Sequence, residues 1–474
     1  TLLFSEIPPV RPENAGADAS GLSRRGDLGT AVKQPRQETA AAGKGGIFLK
    51  LNYKRTFLVG LAFLSICAFW QMYDNIVPLI LQGTFHLNET LTGAIMAADN
   101  VLAVFLLPLL GSLSDKADTR WGKRTPFIVV GTVLAVVLMM LLPHADKTGN
   151  FVLFVISLFF LLIAMGLYRS PAVALMPDLT PKPLRSQANA IINLMGAVGG
   201  IYTLILISLL LKGGDKPDYT PVFLGVALLM VVAVVLLVLT VREKKLAQEV
   251  AKANLEEETE EEQKADKTGE LTPGVKRSLT MILISIFLWF TAYNAVTTAF
   301  SRYARTVWGM EGGGFANCLM VATVAAIISY IPIGMISAKV GRKKTIMGGL
   351  VLMLISFFAA IFFTEYHAAI NLGFALIGMG WAAVSVNSLP MVVEMCSSED
   401  VGKYTGLYYT FSMSAQIVTP ILSGAFLQYV SYRTLFPYAC VFTVAAMITM
   451  SMVHHGDNKP ERKKNLLENF DVED

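Results

Sequence analysis

Apolar runs of about 20 residues recur along almost the whole chain, and short polar breaks separate them. The hydrocarbon core of a bilayer is about 30 Å thick, so a helix needs about 20 apolar residues to cross it. Of the 474 residues, 54% are hydrophobic and only 16% are charged, which leaves too little polar surface for a soluble protein of this length. The pattern predicts an all-α membrane protein that crosses the bilayer many times.

Twelve transmembrane helices are predicted from the positions of these runs. They cover about residues 55–82, 90–113, 125–143, 150–176, 188–211, 220–241, 279–302, 314–338, 344–364, 368–395, 404–428 and 432–454.

Polar segments divide these helices into two groups of six. We expect a disordered N-terminal tail at 1–46, an N-terminal six-helix bundle at 47–241, a charged cytoplasmic linker at 242–277, a C-terminal six-helix bundle at 278–455 and a cytoplasmic tail at 456–474. The linker contains the run EEETEEEQ, which is too acidic to enter a membrane.

One set of the predicted loops contains more basic residues than the other. The richer set contains Lys116, Arg120, Lys123, Arg124, Lys182, Arg185, Lys339, Arg342, Lys343 and Lys344. The poorer set contains Lys147, Lys212, Lys216, Arg302, Arg305 and Arg433. The positive-inside rule places the richer loops and both chain termini in the cytoplasm. We therefore expect a multi-pass protein of a bacterial inner membrane or a plasma membrane.

Several classes of function find no support in the sequence. Loop lysines and arginines account for the net charge of +4, so no nucleic-acid partner is expected. The four cysteines, Cys67, Cys318, Cys396 and Cys440, are isolated and suggest neither a disulfide framework nor a metal site. Because nucleotide-binding loops and nucleophile motifs are also missing from the sequence, we expect no enzymatic activity and no cofactor.

Three pairs of segments repeat in the same order in the two halves. FWQMYDNIV (69–77) resembles WFTAYNAVT (289–297), GSLSDKADTRWGKRT (111–125) resembles GMISAKVGRKKT (334–345), and MPDLTPKPLRSQANA (176–190) resembles VVEMCSSEDVGKYTG (392–406). The offsets between the paired segments are nearly constant. They indicate internal duplication, which is typical of transporters that bind substrate near the membrane midplane between two related halves.

The charged segment at 111–126 resembles the loop between the second and third helices of the major facilitator superfamily. Its longer spacing and the sequence RWGKR-x-P are similar to the glycoside-pentoside-hexuronide:cation symporters and the sucrose/proton symporters. SPAVALMPDL through QANA (170–190) resembles a sucrose-symporter segment, and PMVVEM through GKYTGLYY (390–409) resembles the glycoside family. The resemblance covers about residues 50–455 and implies the major facilitator fold, with two pseudo-symmetric six-helix bundles.

Charged residues at the ends of the predicted helices suggest a cytoplasmic gate. Arg185 follows Asp178 by seven residues, a spacing that resembles the acidic-x6-Arg motif of sugar facilitators, which forms a charge relay with loop arginines. The candidate gate residues are Asp115, Arg120, Lys123, Arg124, Asp178, Arg185 and Glu394. In the second half Ala338 replaces the expected aspartate, so we expect a weaker or differently paired gate there. The alternative is that these charges only fix the topology.

Asp74, Asp99 and Arg169 lie well inside predicted spans, where charge is costly and therefore suggests function. We expect them to couple substrate movement to a cation. The alternatives are a static buried pair and residues that face water separately. The glycoside family carries two cation-binding carboxylates on the second helix, but alignment places Ala103 and Leu107 there. The comparison therefore favours H⁺ over Na⁺ as the coupling ion.

Aromatic and amide side chains within the spans are candidates for sugar binding, because rings stack on sugars and amides bind hydroxyl groups. They are Trp70, Tyr73, Asn75, Tyr293, Asn294, Trp381, Asn387, Tyr408 and Gln416. Helix packing or an interfacial aromatic belt is the alternative role for each ring.

Together these features predict a monomeric, proton-coupled importer of a disaccharide or short glycoside that works by alternating access. The expected partners are the small-molecule sugar, H⁺ and the lipid bilayer. The first alternative is an exporter of drugs or metabolites with the same fold, which the many methionines would fit. A sensor or scaffold without transport activity is the second alternative.

Overall fold

The computed structural model describes residues 51–181, 184–214, 216–251, 272–395 and 401–457. Within these ranges twelve helices are long and apolar enough to cross a membrane, as predicted. They are α1 Tyr53–Gly83, α2 Glu89–Asp115, α3 Thr125–Thr148, α4 Phe151–Asp178, α5 Arg185–Leu210, α6 Thr220–Thr240, α7 Pro273–Thr306, α8 Phe315–Val340, α9 Arg342–Ala360, α10 Ile370–Val393, α11 Val401–Tyr429 and α12 Leu435–Ser451.

Local sequence signals set several of these helix ends. Asn52, Asn88 and Asn150 cap the starts of α1, α2 and α4 by accepting a backbone N–H three residues further on. Proline occupies the first turn of α3, α6 and α7, where its missing N–H leaves no bond unmade. Gly149 ends α3 in the left-handed conformation, with a φ of 65° that glycine adopts without strain.

The structure corrects the sequence-based boundaries at α7, which extends from Pro273 to Thr306 rather than over 279–302. Arg302 and Arg305 therefore lie inside this helix rather than in a loop, and Arg302 is buried. Residues 243–251, at the start of the expected linker, form a short helix. The expected N-terminal tail, most of that linker and nearly all of the C-terminal tail lie outside the described residues.

The helices form an N half (α1–α6) and a C half (α7–α12). Within the halves α1 packs on α5, α3 on α4, α10 on α8 and α9, and α12 on α7. Between the halves α2 packs on α11, α5 on α8, and α1 on α7. Some pairs approach very closely: a Cβ on Gly199 of α5 would stand 2.0 Å from the carbonyl oxygen of Leu64 in α1, so only glycine fits there.

Because the helices alternate in direction, their connections gather at two ends. The Arg124 end carries the connections α2–α3, α4–α5, α8–α9 and α10–α11, and the Glu89 end carries the connections α1–α2, α7–α8 and α11–α12 among others. Between the two ends the outer surface exposes large apolar side chains such as Phe105, Val137, Leu228 and Ile355. This surface suits contact with lipid, in agreement with a multi-pass membrane protein.

Candidate functional site

A cavity of about 400 Å³ lies between the two halves and is lined by residues of eight helices, four from each half. Its volume falls within the range typical of small-molecule sites, about 300–1,000 Å³. Eight of the residues selected from the sequence line it: Trp70, Asp74, Asp99, Arg169, Tyr293, Asn294, Trp381 and Gln416.

The charged side chains of the cavity wall all come from the N half: Asp74 from α1, Asp99 from α2 and Arg169 from α4. Asp99 lies close enough to both Asp74 and Arg169 for their charges to interact. The Asp99 Oδ1 also accepts a 2.8 Å hydrogen bond from the Asn100 amide. The Arg169 guanidinium lies over the ring of Trp70, 5.7 Å from its centroid, which is within the distance of a cation–π contact.

The C half contributes neutral groups to the same cavity. Tyr293 and Trp381 stack face to face, with ring centroids 3.8 Å apart and an angle of 8° between their planes. Asn294, Thr297 and Gln416 add amide and hydroxyl groups beside this stack. An aromatic surface with hydrogen-bonding groups at its edge suits a polar, uncharged ligand such as a sugar.

Two buried donors on the cavity wall have no hydrogen-bond partner within the described residues. They are the indole Nε1 of Trp70 and the amide Nδ2 of Asn294, which belong to opposite halves. A buried donor without a partner is costly, so a bound ligand that accepts from these groups would gain affinity.

Four residues selected from the sequence lie outside the cavity lining. Tyr73 packs behind the wall, stacked on Phe69. Asn75 is buried and its amide donates to the carbonyl oxygen of Gln71. Asn387 accepts a hydrogen bond from Ser337 and donates to the carbonyl oxygen of Ala383.

The fourth of these residues, Tyr408, is buried and shares a 3.0 Å hydrogen bond with Ser388. These four side chains support the helices that carry the site, and a motif in the sequence does not distinguish that role from direct binding.

Other lining residues were missed in the sequence. They are Gln71, Asn100, Asn193, Thr297, Thr298, Thr323 and Tyr330. The need of a lone amide for a partner inside a span could have identified the first three.

At the Arg124 end, one buried arginine connects the ends of three helices. The Arg124 side chain pairs with Asp115 at the end of α2 and with Asp178 at the end of α4, the latter at 2.8 Å. It also donates a 2.5 Å hydrogen bond to Ser114 Oγ. The three residues proposed from the sequence therefore meet, but all of them belong to the N half.

Glu243, which lies three positions after the last residue of α6, was missed in the sequence and caps the start of α3. Its carboxylate accepts hydrogen bonds from the backbone N–H groups of Lys123, Arg124 and Thr125 at 2.6–2.8 Å. It also accepts from the Thr125 hydroxyl at 2.7 Å. An anion at a helix start satisfies free N–H groups and complements the helix dipole. The acidic residue shortly after the predicted sixth span was the sequence feature that could have identified this cap.

The next residue, Lys244, binds the same loop from its surface. Lys244 Nζ donates to Asp118 Oδ1 at 2.9 Å, and this hydrogen bond, together with the lysine charge, lowers the pKa of Asp118. The first residues of the expected linker are thus attached to the loop between α2 and α3.

Of the remaining gate candidates, Arg185 and Glu394 also make contacts within one half. Arg120 and Lys123 are exposed, while Arg185 donates to the backbone carbonyl oxygens of Pro177 and Thr180. Glu394 pairs with Arg342 at the start of α9.

A carboxylate after the last helix of the C half repeats the role of Glu243. Asp457 follows α12 and accepts a 2.8 Å hydrogen bond from the backbone N–H of Lys343, in the first turn of α9. Gly122 and Gly341 both have positive φ, of 118° and 99°, and a Cβ at either one would press on the capping carboxylate. The duplication read from the sequence therefore extends to a contact that its three motif pairs do not include.

The chain belongs to the family described as MFS/sugar transport protein, whose model matches residues 59–455. The match covers both halves, and the chain is therefore a membrane transporter of the major facilitator type rather than an enzyme.

Curated relatives agree with this family over short alignments. The sucrose transport protein SUC4 of Arabidopsis thaliana is 33% identical over 113 residues, which cover 21% of this chain and 22% of the relative. SUC3 of Arabidopsis thaliana is 24% identical over 151 residues, or 28% and 25% of the two chains. The lactose permease of Lactobacillus helveticus is 30% identical over 79 residues, 16% of this chain and 12% of the permease. Each alignment spans about a quarter of the relative or less.

Solved structures match the fold over most of its length. The nucleoside transporter NupG superposes with a TM-score of 0.61 at 16% identity, covering 84% of this chain and 98% of NupG. The transporter PepTSo of the POT family gives 0.62 at 12% identity, covering 85% and 98%. At these identities the likeness concerns the fold alone.

Proposed function

We propose that the protein imports a neutral sugar of disaccharide or short glycoside size together with H⁺, by alternating access. The observation that carries the proposal is the division of the central cavity. Its N-half wall holds Asp74, Asp99 and Arg169, and its C-half wall holds the stacked Tyr293–Trp381 pair with Asn294 and Gln416.

The N-half wall offers two carboxylates beside one arginine, so a proton or a substrate can change the balance of charge there. A carboxylate that gains a proton loses its attraction to Arg169, and a ligand that contacts either group shifts that equilibrium. The positions that hold cation-binding carboxylates in the glycoside family, Ala103 and Leu107, are apolar and lie outside the cavity lining. This arrangement favours H⁺ as the coupling ion.

The C-half wall supplies what a polyhydroxyl ligand requires. A sugar ring can pack its C–H face on the aromatic stack, while Asn294 Nδ2 donates to its oxygen atoms. Trp70 Nε1 offers a second donor from the N-half wall. The printed activities of the sucrose and lactose relatives support a sugar as the substrate class. We place the Arg124 end in the cytoplasm because its loops carry the excess of basic residues.

The proposal is tested with the purified full chain reconstituted into liposomes. A thermal-shift screen in detergent identifies sugars that stabilise the protein, since a ligand stabilises the state that it binds. Uptake of the best sugar is then measured under a pH gradient, with Na⁺ or K⁺ present at equal concentration. We expect the pH gradient to drive accumulation equally in both salts. Uptake that requires Na⁺ at constant pH would contradict proton coupling, and a screen without any sugar response would contradict the substrate class.

A further inference from the structure

Buried charges join the two halves at the Glu89 end. Glu89, the first residue of α2, lies in the N half, and its Oε2 accepts a 3.0 Å hydrogen bond from Nε of Arg302 in α7 of the C half. Both side chains are only 5% exposed. Tyr432, from the turn before α12, donates its hydroxyl to the other carboxylate oxygen. Arg302 also donates to the carbonyl oxygen of Thr298 at 2.9 Å.

Neighbouring contacts between α2 and α11 lie along the same interface of the two halves, which we call the seam. Gln428 of α11 accepts from both the backbone N–H and the hydroxyl of Thr90 in α2, at 3.1 and 2.6 Å. A Cβ on Gly93 would stand 2.1 Å from the carbonyl oxygen of Pro420, so α2 and α11 are in backbone contact there. Pro420 itself lines the central cavity. The seam therefore closes the cavity toward the Glu89 end.

An acidic residue at the start of a helix is ordinary, because it complements the helix dipole. That role accounts for the position of Glu89. It does not account for Arg302, a buried charge of the other half that does not interact with this helix dipole. Within the closed seam each charge depends on the other, since burying either one alone is costly. When the halves separate, water can solvate both.

We propose that Glu89, Arg302 and Tyr432 form a latch, which holds the Glu89 end closed in this conformation and must separate before the cavity opens there. The latch rests on the proposed alternating-access transport, because it controls one of the two openings that such a cycle requires. Its polar groups make the closure reversible: water replaces their hydrogen bonds when the seam opens.

The test uses Cys67, which lines the cavity, as an accessibility reporter. In the full chain Cys318, Cys396 and Cys440 are replaced by alanine, and a membrane-impermeant thiol reagent is applied from the Glu89 end of protein in oriented vesicles. We expect slow labelling of this reference protein. Glu89→Gln and Arg302→Gln should each label about tenfold faster, because each leaves its partner as an unpaired buried charge in the closed state.

The double variant Glu89→Gln/Arg302→Gln should return toward the reference rate, since no charge is then left buried without a partner. Asp218→Asn is the matched control. It breaks the exposed Lys147–Asp218 pair, which lies at the same end but within the N half, and should label at the reference rate. Tyr432→Phe removes a single hydrogen bond and should raise the rate by about threefold.

Single variants that label at the reference rate would overturn the latch, and so would a double variant that labels faster than either single one. If a charge variant fails to reach the membrane, Tyr432→Phe decides, and a reference rate there also overturns the proposal. Labelling requires no substrate. A protein that moves no sugar but shows this pattern would refute the proposed function and leave the latch standing.

Discussion

The two halves share a fold but differ in the charges that they place at equivalent positions. Tyr73 and Asp74 of α1 are followed 220 positions later by Tyr293 and Asn294 of α7, so an acid in one half faces the cavity where the other half has an amide. The N half supplies the charged groups of the cavity wall and the C half supplies the aromatic stack. The two halves therefore present different chemistry to the same cavity, with charged groups on one wall and neutral aromatic and amide groups on the other.

The same contrast appears at the Arg124 end. In the N half Arg124 binds two carboxylates and a serine, while in the C half Arg342 pairs with Glu394 and Ala338 stands where Asp115 is found. Each half is also capped by a carboxylate that follows its sixth helix, but Glu243 accepts four hydrogen bonds and Asp457 caps one backbone N–H. Among the described residues, the N half therefore has more ion pairs and capping hydrogen bonds at this end than the C half.

The largest effect is expected from neutralising the acidic wall. Exchange of sugar across the membrane needs binding and rocking, whereas accumulation also needs a proton to load and leave. We expect Asp99→Asn to retain exchange and lose pH-driven accumulation completely. We expect Asp74→Asn to lose both activities, because its carboxylate lines the cavity and would also bind hydroxyl groups of the sugar. Both activities are measured in liposomes. Normal accumulation by Asp99→Asn would show that Asp99 does not couple.

The matched change on the neutral wall is Asn294→Ala. It removes one hydrogen-bond donor worth about 1 kcal/mol, so the affinity for sugar should fall about fivefold while accumulation remains driven by the pH gradient. Binding titrations and uptake measured on the same preparation check both parts. A loss of coupling in this variant would mean that the two walls are not divided by function.

The next largest effect is expected from replacing Arg124 and Arg342, the two arginines that pair with carboxylates at the Arg124 end. Arg124→Gln leaves Asp115 and Asp178 without their partner, and because both carboxylates are partly exposed we expect a cost of about 2 kcal/mol. Arg342→Gln leaves Glu394 without its partner, which should destabilise the protein by about 1 kcal/mol. Thermal unfolding in detergent measures both. We also expect Arg124→Gln to impair transport while sugar binding remains measurable, and wild-type transport would leave this loop only a topological role.

The two capping carboxylates provide a smaller contrast. Glu243→Gln should destabilise the protein by about 1–2 kcal/mol, because it weakens charge-assisted bonds to three backbone N–H groups. Asp457→Asn should cost about 0.5–1 kcal/mol, since one such bond is affected. Hydrogen exchange at the first turns of α3 and α9 locates each effect. Equal losses in the two variants would contradict the unequal capping.

The smallest effect is expected at Asp118, whose pKa is lowered by the hydrogen bond and charge of Lys244. A carboxyl group with a lowered pKa in the folded state stabilises that state at neutral pH, and this contribution disappears as the pH falls through the folded value. Lys244→Ala should return the pKa of Asp118 toward its ordinary value, as an NMR titration of labelled aspartate would show. Because the pair is exposed, uptake at neutral pH should not change.

The sequence by itself determined the membrane class, the twelve helices, the duplication and the family. The membrane class and the number of helices follow from the apolar run lengths, which match the thickness of the bilayer. The duplication follows from the three paired segments, and the family from the resemblance of local motifs to known transporters. The sequence also identified eight lining residues, because charge inside a span is costly and because aromatic and amide groups suit a sugar. Asn387 and Tyr408 were selected on the second ground but lie outside the lining, where each makes a hydrogen bond to a neighbouring helix.

Only the tertiary structure decided which distant residues meet. Glu243 lies 118–120 positions from the backbone groups that it caps, and Glu89 lies 213 positions from Arg302. In the sequence Arg302 reads as a loop arginine, and Glu89 lies just before the predicted second span with nothing to mark it. Their pairing arises because α2 and α7 from different halves converge at one end. Local patterns record the environment that each helix needs, and the choice of partner depends on how the two halves pack.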